Sequence, residues 1–468
     1  MLLCEEIKKV CEMINNNEPC ISKQKAVINK FKRDWKRIMA FSGLYNAMKF
    51  TYSPNRIKIN NYGLETSIYI VPPLTFGMLD NVREMLQENL GCMILFNKSK
   101  FSPFIIAKFI FNSQDNSDYK VVKQDYPWEI YIGNNYAGEP ILVDVNKYVH
   151  VGEYGGTRSG KSVQQSVILT NLIANIPPED LQLYLLQVAK SDLILFSRCL
   201  HTKAFAETLE QVLQVLEYLV EVEMPRRSNL IKPYRECAKA SNYRDYNKLK
   251  HTEKIIMTYV CFDEMSSLFQ EKDGEKKKTK DRIVFYAEEI ARYGGSLGLC
   301  MINSLQRPTK DNLSSLIKSQ CTTTISFRQN NSKSSEVAVD DPSLALGLEQ
   351  REFVYRLASK DVDYGVVPWV KDIELEEIIK PYKKPHRTLF DDLEKLSHRN
   401  GVKKNKESLV EVGTRIKTEK EILEENKAKN PNWVDWQNPT GMTVIKDETK
   451  SPSKTDKPIK KGKEKISC

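Results

Sequence analysis

Apolar residues in this chain fall into short, separated runs, and the polar positions between them predict two kinds of element. Near the N-terminus Ile7, Val10, Cys11 and Ile14 recur at helical spacing, which predicts an amphipathic helical region over residues 1–35. Three runs, Ser67 to Val71, Cys92 to Phe96 and Ile105 to Phe111, predict strands, with a helix from Thr75 to Asn89 between the first two. These assign a small α/β domain to residues 36–132. From residue 133 the rhythm changes. Strand-like runs at Tyr148 to Tyr154, Leu181 to Gln187, Ile255 to Phe262, Leu297 to Ser304 and Thr322 to Phe327 alternate with helix-compatible stretches, one of them from Lys161 to about Ala174. That alternation predicts a parallel, helix-covered sheet, and it assigns residues 133–381 to a second α/β domain.

Beyond Pro381 the composition turns to lysine, glutamate, asparagine and serine, and from about Arg399 too few apolar residues remain to support a core. Residues 382–468 are therefore expected to form a charged, largely disordered basic tail, with helical character only between Glu419 and Lys429. Trp433 and Trp436 stand out within it, either as a docking motif or as a loose turn against the main domain.

The 468 residues suffice for two to three domains and a sizeable core. A formal net charge of +10 favours polyanionic partners, although surplus lysine is also ordinary solvated surface. The ten cysteines include no C-x-x-C pair, and Cys92, Cys261 and Cys300 sit in apolar runs, as reduced core residues do. The longest apolar stretch, Gly91 to Phe111, is interrupted by Asn97, Lys98, Lys100 and Pro103, so no intrinsic membrane span is expected. Glu5 and Glu6 near the start argue against a signal peptide. The chain is expected to be cytoplasmic, with peripheral attachment to a membrane through partners left open.

Two segments carry chemistry. Residues 155–162 read GGTRSGKS, the G-x-x-x-x-G-K-[ST] pattern of a loop that cradles phosphates. Gly155, Gly156 and Gly160 let backbone amides approach the anion, and Lys161 supplies a charge for the β- and γ-phosphates. Ser162 can ligate Mg²⁺, and the helix starting there points its positive dipole end at the site. The nucleotide-binding set is thus Gly155, Gly156, Thr157, Arg158, Ser159, Gly160, Lys161, Ser162 and Val163. The second segment is the apolar run ending in Asp263 and Glu264. Asp263 is expected to hold Mg²⁺ through water and Glu264 to polarise the attacking water as general base, an order that favours hydrolysis over phosphoryl transfer to a metabolite. His150 is expected to pack at the start of the preceding strand.

The segment GEPILVDVNKYVHVGEYGGTRSGKSV resembles the start of the motor domain of FtsK/SpoIIIE DNA translocases. The likeness runs from about Gly133 to Tyr364 and includes CFDEMSSLF as the second acidic motif and the stretch from Gly294 to Arg328 as the sensor segment. The upstream stretch WKRIMAFSGLYN and the small domain before the motor look most like TcpA-type coupling ATPases of Gram-positive conjugative elements.

The resemblance implies a RecA-like P-loop ATPase core using ATP and Mg²⁺, assembled as a homo-hexamer that moves nonspecifically bound DNA in conjugative transfer. A relaxase or a membrane transfer-channel protein would be its partner. A protein-secretion motor of the same family and an ATP-dependent scaffold recruiting a relaxase are the alternatives. Gln306, at the end of a Q-R-P strand, would sense the γ-phosphate, or else be a strand-end amide satisfied by backbone. Lys276, Lys277, Lys278 and Lys280 would face a ring pore and track phosphates, or else form an exposed charged loop.

Departures from the family pattern are equally specific. Arg158 replaces a glycine of the phosphate loop. Gln187, Val188 and Ala189, ahead of Lys190, occupy the place of an acidic residue, and Gly295 falls where the family carries a candidate trans-acting arginine. Either Arg292, Arg307 or Arg328 takes over that role, or the ring hydrolyses with weaker coupling between subunits. The winged-helix module and multi-span anchor of chromosomal members have no counterpart in this sequence.

Overall fold

A computed structural model describes residues 3–98, 102–112, 118–188, 192–249, 253–268, 274–306, 308–309, 312–358 and 362–400. The chain separates into Met1–Val412 and Gly413–Cys468. The expected helix from Glu419 to Lys429 and the Trp433 and Trp436 pair lie outside the described residues.

Helices α1 (Leu3–Asn15) and α2 (Ile21–Phe41) bury the apolar stripes that their spacing marks, Ile7, Val10 and Cys11 on the first and Phe31, Trp35 and Met39 on the second. They cover an antiparallel sheet of β1 (Ser53–Ile59), β2 (Gly63–Tyr69), β3 (Met93–Lys98) and β4 (Phe104–Ile110), in the order β1-β2-β4-β3. Phe31, Trp35 and Phe109 meet with ring centroids 4.9 to 6.1 Å apart, and the Trp35 indole N–H donates to the Tyr52 carbonyl at 2.6 Å. Helices and sheet share this core, so the boundary expected after residue 35 falls inside α2. The single helix expected from Thr75 to Asn89 is two, α3 (Phe76–Asp80), capped by the Thr75 side chain, and α4 (Arg83–Leu90).

The larger sheet has ten strands, β5 (Glu129–Asn134), β6 (Pro140–Asp144), β7 (Val151–Tyr154), β8 (Leu181–Leu186), β9 (Thr202–Ala206), β10 (Met257–Phe262), β11 (Leu299–Leu305), β12 (Thr323–Phe327), β13 (Glu352–Leu357) and β14 (Asp363–Val366). Their order is β6-β5-β14-β13-β12-β7-β11-β10-β8-β9. The strands from β12 to β9 pair in parallel, as the alternation of strands and helices predicts, while β13, β14, β5 and β6 extend that sheet antiparallel. The motor boundary expected at residue 133 falls inside β5.

Helices α5 (Lys161–Asn175), α6 (Leu209–Glu217), α7 (Met224–Glu236), α8 (Tyr243–Asn247), α9 (Glu275–Tyr293), α10 (Ser315–Gln320), α11 (Ser332–Val339), α12 (Asp372–Ile379) and α13 (Leu389–Asn400) complete the unit. Strand side chains alternate between two cores. On β10, Tyr259 and Cys261 join α5 and α12 residues such as Leu172 and Leu375, while Val260 and Phe262 join α6 and α9 residues such as Leu216 and Ile290. A strand buried on both faces is apolar throughout, which is why β10 reads as an unbroken run. Packing continues past residue 381 into the stretch expected to be tail, where Leu389 is buried and Phe390 and Leu393 lie against the second core. Among the described residues no helix is long and apolar enough to cross a membrane.

Candidate nucleotide-binding site

The loop between β7 and α5 is pinned to its neighbours by backbone contacts. Gly155 N–H donates to the Leu305 carbonyl at the tip of β11 (3.1 Å), and Gly156 N–H to the Arg328 carbonyl just beyond β12 (3.2 Å). A Cβ on Gly155 would stand 2.7 Å from Phe327 Cβ and from Ser159 Oγ, so the loop has no room for a side chain there. Gly160 has φ +114°, and a Cβ on it would stand 2.8 Å from Arg351 Cα. Arg158 occupies the left-handed region at φ +61° with its side chain exposed. That explains the glycine the resembled family keeps here, since a non-glycine residue in this conformation costs on the order of 1 kcal/mol.

Lys161, 4% exposed, turns inward from the first residue of α5. Its ammonium donates to Ser304 Oγ at 2.7 Å and to the Asp263 carbonyl at 3.2 Å, and it lies 4.0 Å from Glu264 Oε2. Glu264 Oε1 accepts from the Gln306 backbone N–H at 3.3 Å and from the Ser266 hydroxyl. The fold therefore brings Lys161, Asp263, Glu264 and Gln306 together at the C-terminal ends of adjacent parallel strands, where open α/β sheets bind ligands. Ser162 and Val163 line the same cavity, of about 320 Å³, together with Gln306, Arg351 and Trp369.

Mg²⁺ takes hard oxygen donors and keeps several waters. The Asp263 carboxylate, buried at the end of β10, and the Ser162 hydroxyl at the start of α5 supply oxygen donors of that kind. The residues present thus fit a cation that phosphate oxygens would complete.

Sequence reasoning missed Glu153. This β7 residue is fully buried beneath the loop, and burial raises its carboxyl pKa to about 8, against the opposing pull of Lys161 and the Ser304 hydroxyl and with help from Asp263. Its signal was a charged residue inside an otherwise buried strand. Arg351 and Trp369 lie far from the loop in sequence and carried no motif.

Other expected residues stand elsewhere. Arg292 lines a separate cavity with Val149 and His150 at the opposite ends of the strands, where it pairs with Glu289 at 3.0 Å. Arg328 is exposed next to the loop, and Arg307 and Lys190 lie outside the described residues. Gln187 is buried, and its side-chain oxygen accepts from Leu193 N–H at 2.7 Å. His150 is buried between two backbone groups, accepting from Met301 N–H and donating to the Ala291 carbonyl, and burial lowers its pKa to about 4. The lysines expected on a loop sit on the first turns of α9. Lys276, Lys277 and Lys278 are exposed there, whereas Lys280 is buried.

Residues 114–343 match the sequence profile of the FtsK/SpoIIIE family. The DNA translocase FtsK of Leptospira interrogans is 24% identical over 264 residues, which is 54% of this chain and 27% of that protein. The chain thus spans about a quarter to a third of the length of the curated relatives it matches. Among solved structures, the pCW3 conjugation coupling protein TcpA, in its monomer form with ATPγS, has a TM-score of 0.52 at 19% identity, with 75% of this chain and 99% of that one covered. ATPases 2 and 3 of EssC from Geobacillus thermodenitrificans have a TM-score of 0.50 at 16% identity, over 59% of this chain and 54% of that one. These likenesses show a shared fold.

Proposed function

We propose, from the match of residues 114–343 to the FtsK/SpoIIIE family, that this chain hydrolyses ATP and couples the hydrolysis to movement of DNA. The observation that carries the reading is the convergence of Lys161, Asp263 and Glu264 beneath a phosphate-cradling loop. Amides of Gly160 to Ser162 at the start of α5 and the Lys161 ammonium bind the β- and γ-phosphates. Ser162 and Asp263 would hold Mg²⁺, which when bound neutralises charge between those phosphates. Glu264 orients a water for in-line attack and accepts its proton. Because the Gln306 N–H donates to Glu264, a shift of that carboxylate on loss of the γ-phosphate reaches the end of β11 directly. Gln306 thereby becomes the link from hydrolysis to motion.

The likeness to FtsK/SpoIIIE motors extends the proposal to a cytoplasmic ring of six subunits. An arginine from a neighbour, Arg328 at the strand ends that carry the site, Arg292 at the far ends, or Arg307, would complete each site. The fold shared with a conjugation coupling protein supports transfer of a mobile element as the setting, with a relaxase or membrane channel as partner. The test is the rate of ATP hydrolysis with and without double-stranded DNA of unrelated sequences. Stimulation by every sequence supports the proposal. Turnover that responds to an exported polypeptide and not to DNA would contradict it.

A further inference from the structure

One wall of the cavity beside the phosphate loop is not accounted for by phosphate chemistry. Beyond Ser162 and Val163 the cavity is bounded by Gln350, Arg351, Trp369 and Val370, which come from the turn just before β13 and the chain after β14. Arg351 is tied to the loop itself, its N–H donating to the Ser159 carbonyl at 2.8 Å while its Cα makes the close approach to Gly160. The side chain is 6% exposed and pinned by a hydrogen bond from Nη1 to the Val367 carbonyl at 2.7 Å. The guanidinium then lies over the Trp369 indole, 3.8 Å from its centroid.

Trp369 is nevertheless 48% exposed. Its backbone is fixed, because Tyr119 N–H donates to its carbonyl at 2.7 Å and Asp118 bridges to it. A large aromatic ring held rigidly at the rim of a cavity, one face covered by a buried cation, leaves a preorganised apolar surface toward solvent. In a nucleotide whose phosphates lie on the loop, the planar base is the part that extends beyond it. Val163 and Val370 make the intervening surface apolar as well.

We infer that Trp369, positioned by Arg351, is the stacking wall for the nucleotide base, so that this site recognises nucleoside triphosphates and not polyphosphate alone. The inference rests on the nucleotide reading of the loop. It implies base selection by stacking area, with adenine and guanine held more tightly than the smaller pyrimidines.

The experiment measures equilibrium binding of ATP and of inorganic tripolyphosphate to the full-length chain, to Trp369→Ala, to Trp369→Phe and to Lys161→Ala. Stacking on an aromatic side chain predicts that Trp369→Ala weakens ATP binding about tenfold or more, with tripolyphosphate unaffected. Trp369→Phe keeps most of the ATP affinity, and Lys161→Ala loses both ligands. Equal loss of ATP and tripolyphosphate in Trp369→Ala would assign the residue to support of the loop and overturn the inference, as would unchanged ATP binding. If the unaltered chain binds tripolyphosphate but shows no preference for ATP, the stacking wall falls while the phosphate loop stands. If it binds neither, the nucleotide site falls and the stacking wall with it.

Discussion

Lys161 and Glu264 lie within one ion-pair distance of each other and have separable tasks. Lys161→Ala removes a charge from the β- and γ-phosphates, and the loss of a charge-assisted contact predicts ATP affinity lower by roughly a hundredfold. Glu264→Gln keeps the shape of the site and removes the base, so ATP should bind normally and turn over about 10² to 10⁴ times more slowly. Equilibrium binding and single-turnover hydrolysis separate the two, and wild-type turnover in Glu264→Gln would remove Glu264 from the chemistry. Glu153 makes a different prediction. Its carboxyl keeps a proton to about pH 8 in the fold against an ordinary value of 4.5, so between these limits the folded chain binds the extra proton. Stability from this group is therefore full below pH 4.5 and declines as pH rises towards the folded value, levelling above it. Glu153→Gln, which cannot ionise, should lack that decline in urea unfolding at pH 6 and pH 8.5; parallel losses in both proteins would contradict the account. The sequence made the phosphate loop, Asp263 and Glu264 legible because phosphate chemistry fixes residue types at fixed spacing. It hid Glu153 and Trp369, whose roles come from burial and from contacts 200 residues apart, which only the fold creates.

Helix α9 shows how the same rule works for elements. Its N-terminal turns read as a lysine loop because Lys276, Lys277 and Lys278 conceal the start of the stripe that Ile283, Ala287 and Ile290 bury. The helix still presents three exposed cations, and if they touch DNA phosphates each one removed should lower the slope of log affinity against log salt by about 0.9. Binding measured on unrelated duplexes, with the residues after Arg399 deleted to remove their positive charge, checks this; an unchanged slope in the triple alanine variant assigns the helix start to solvent. Lys280 is buried, so its replacement should register in stability before it registers in the slope. Strands β7, β8, β10, β11 and β12 were legible because burial on two faces makes them short apolar runs. Strands β1 and β13 were not, since SPNRIKI and EFVYRL are half-exposed and carry charges at positions that face water.

At the scale of the described unit, the N-terminal sheet packs against the antiparallel end of the large sheet. Tyr62 and Ile110 pack with Tyr136, Ala137 and Val366, and Lys108 pairs with Glu139 at 2.5 Å. That attachment is made at β14 and the β5–β6 turn, whereas the phosphate loop follows β7, three strands further along the sheet. In the proposed ring, each site is completed by a neighbour, and specific ATPase activity should rise with protein concentration until assembly is complete. Movement along DNA driven from this site is read out by displacement of a third strand from a triplex by the assembled protein. Displacement should require ATP, proceed on any flanking sequence, and be abolished by Lys161→Ala and by Glu264→Gln. Displacement without ATP, or at the unaltered rate in Glu264→Gln, would contradict it, as would DNA-stimulated hydrolysis by the unaltered chain with no displacement at all.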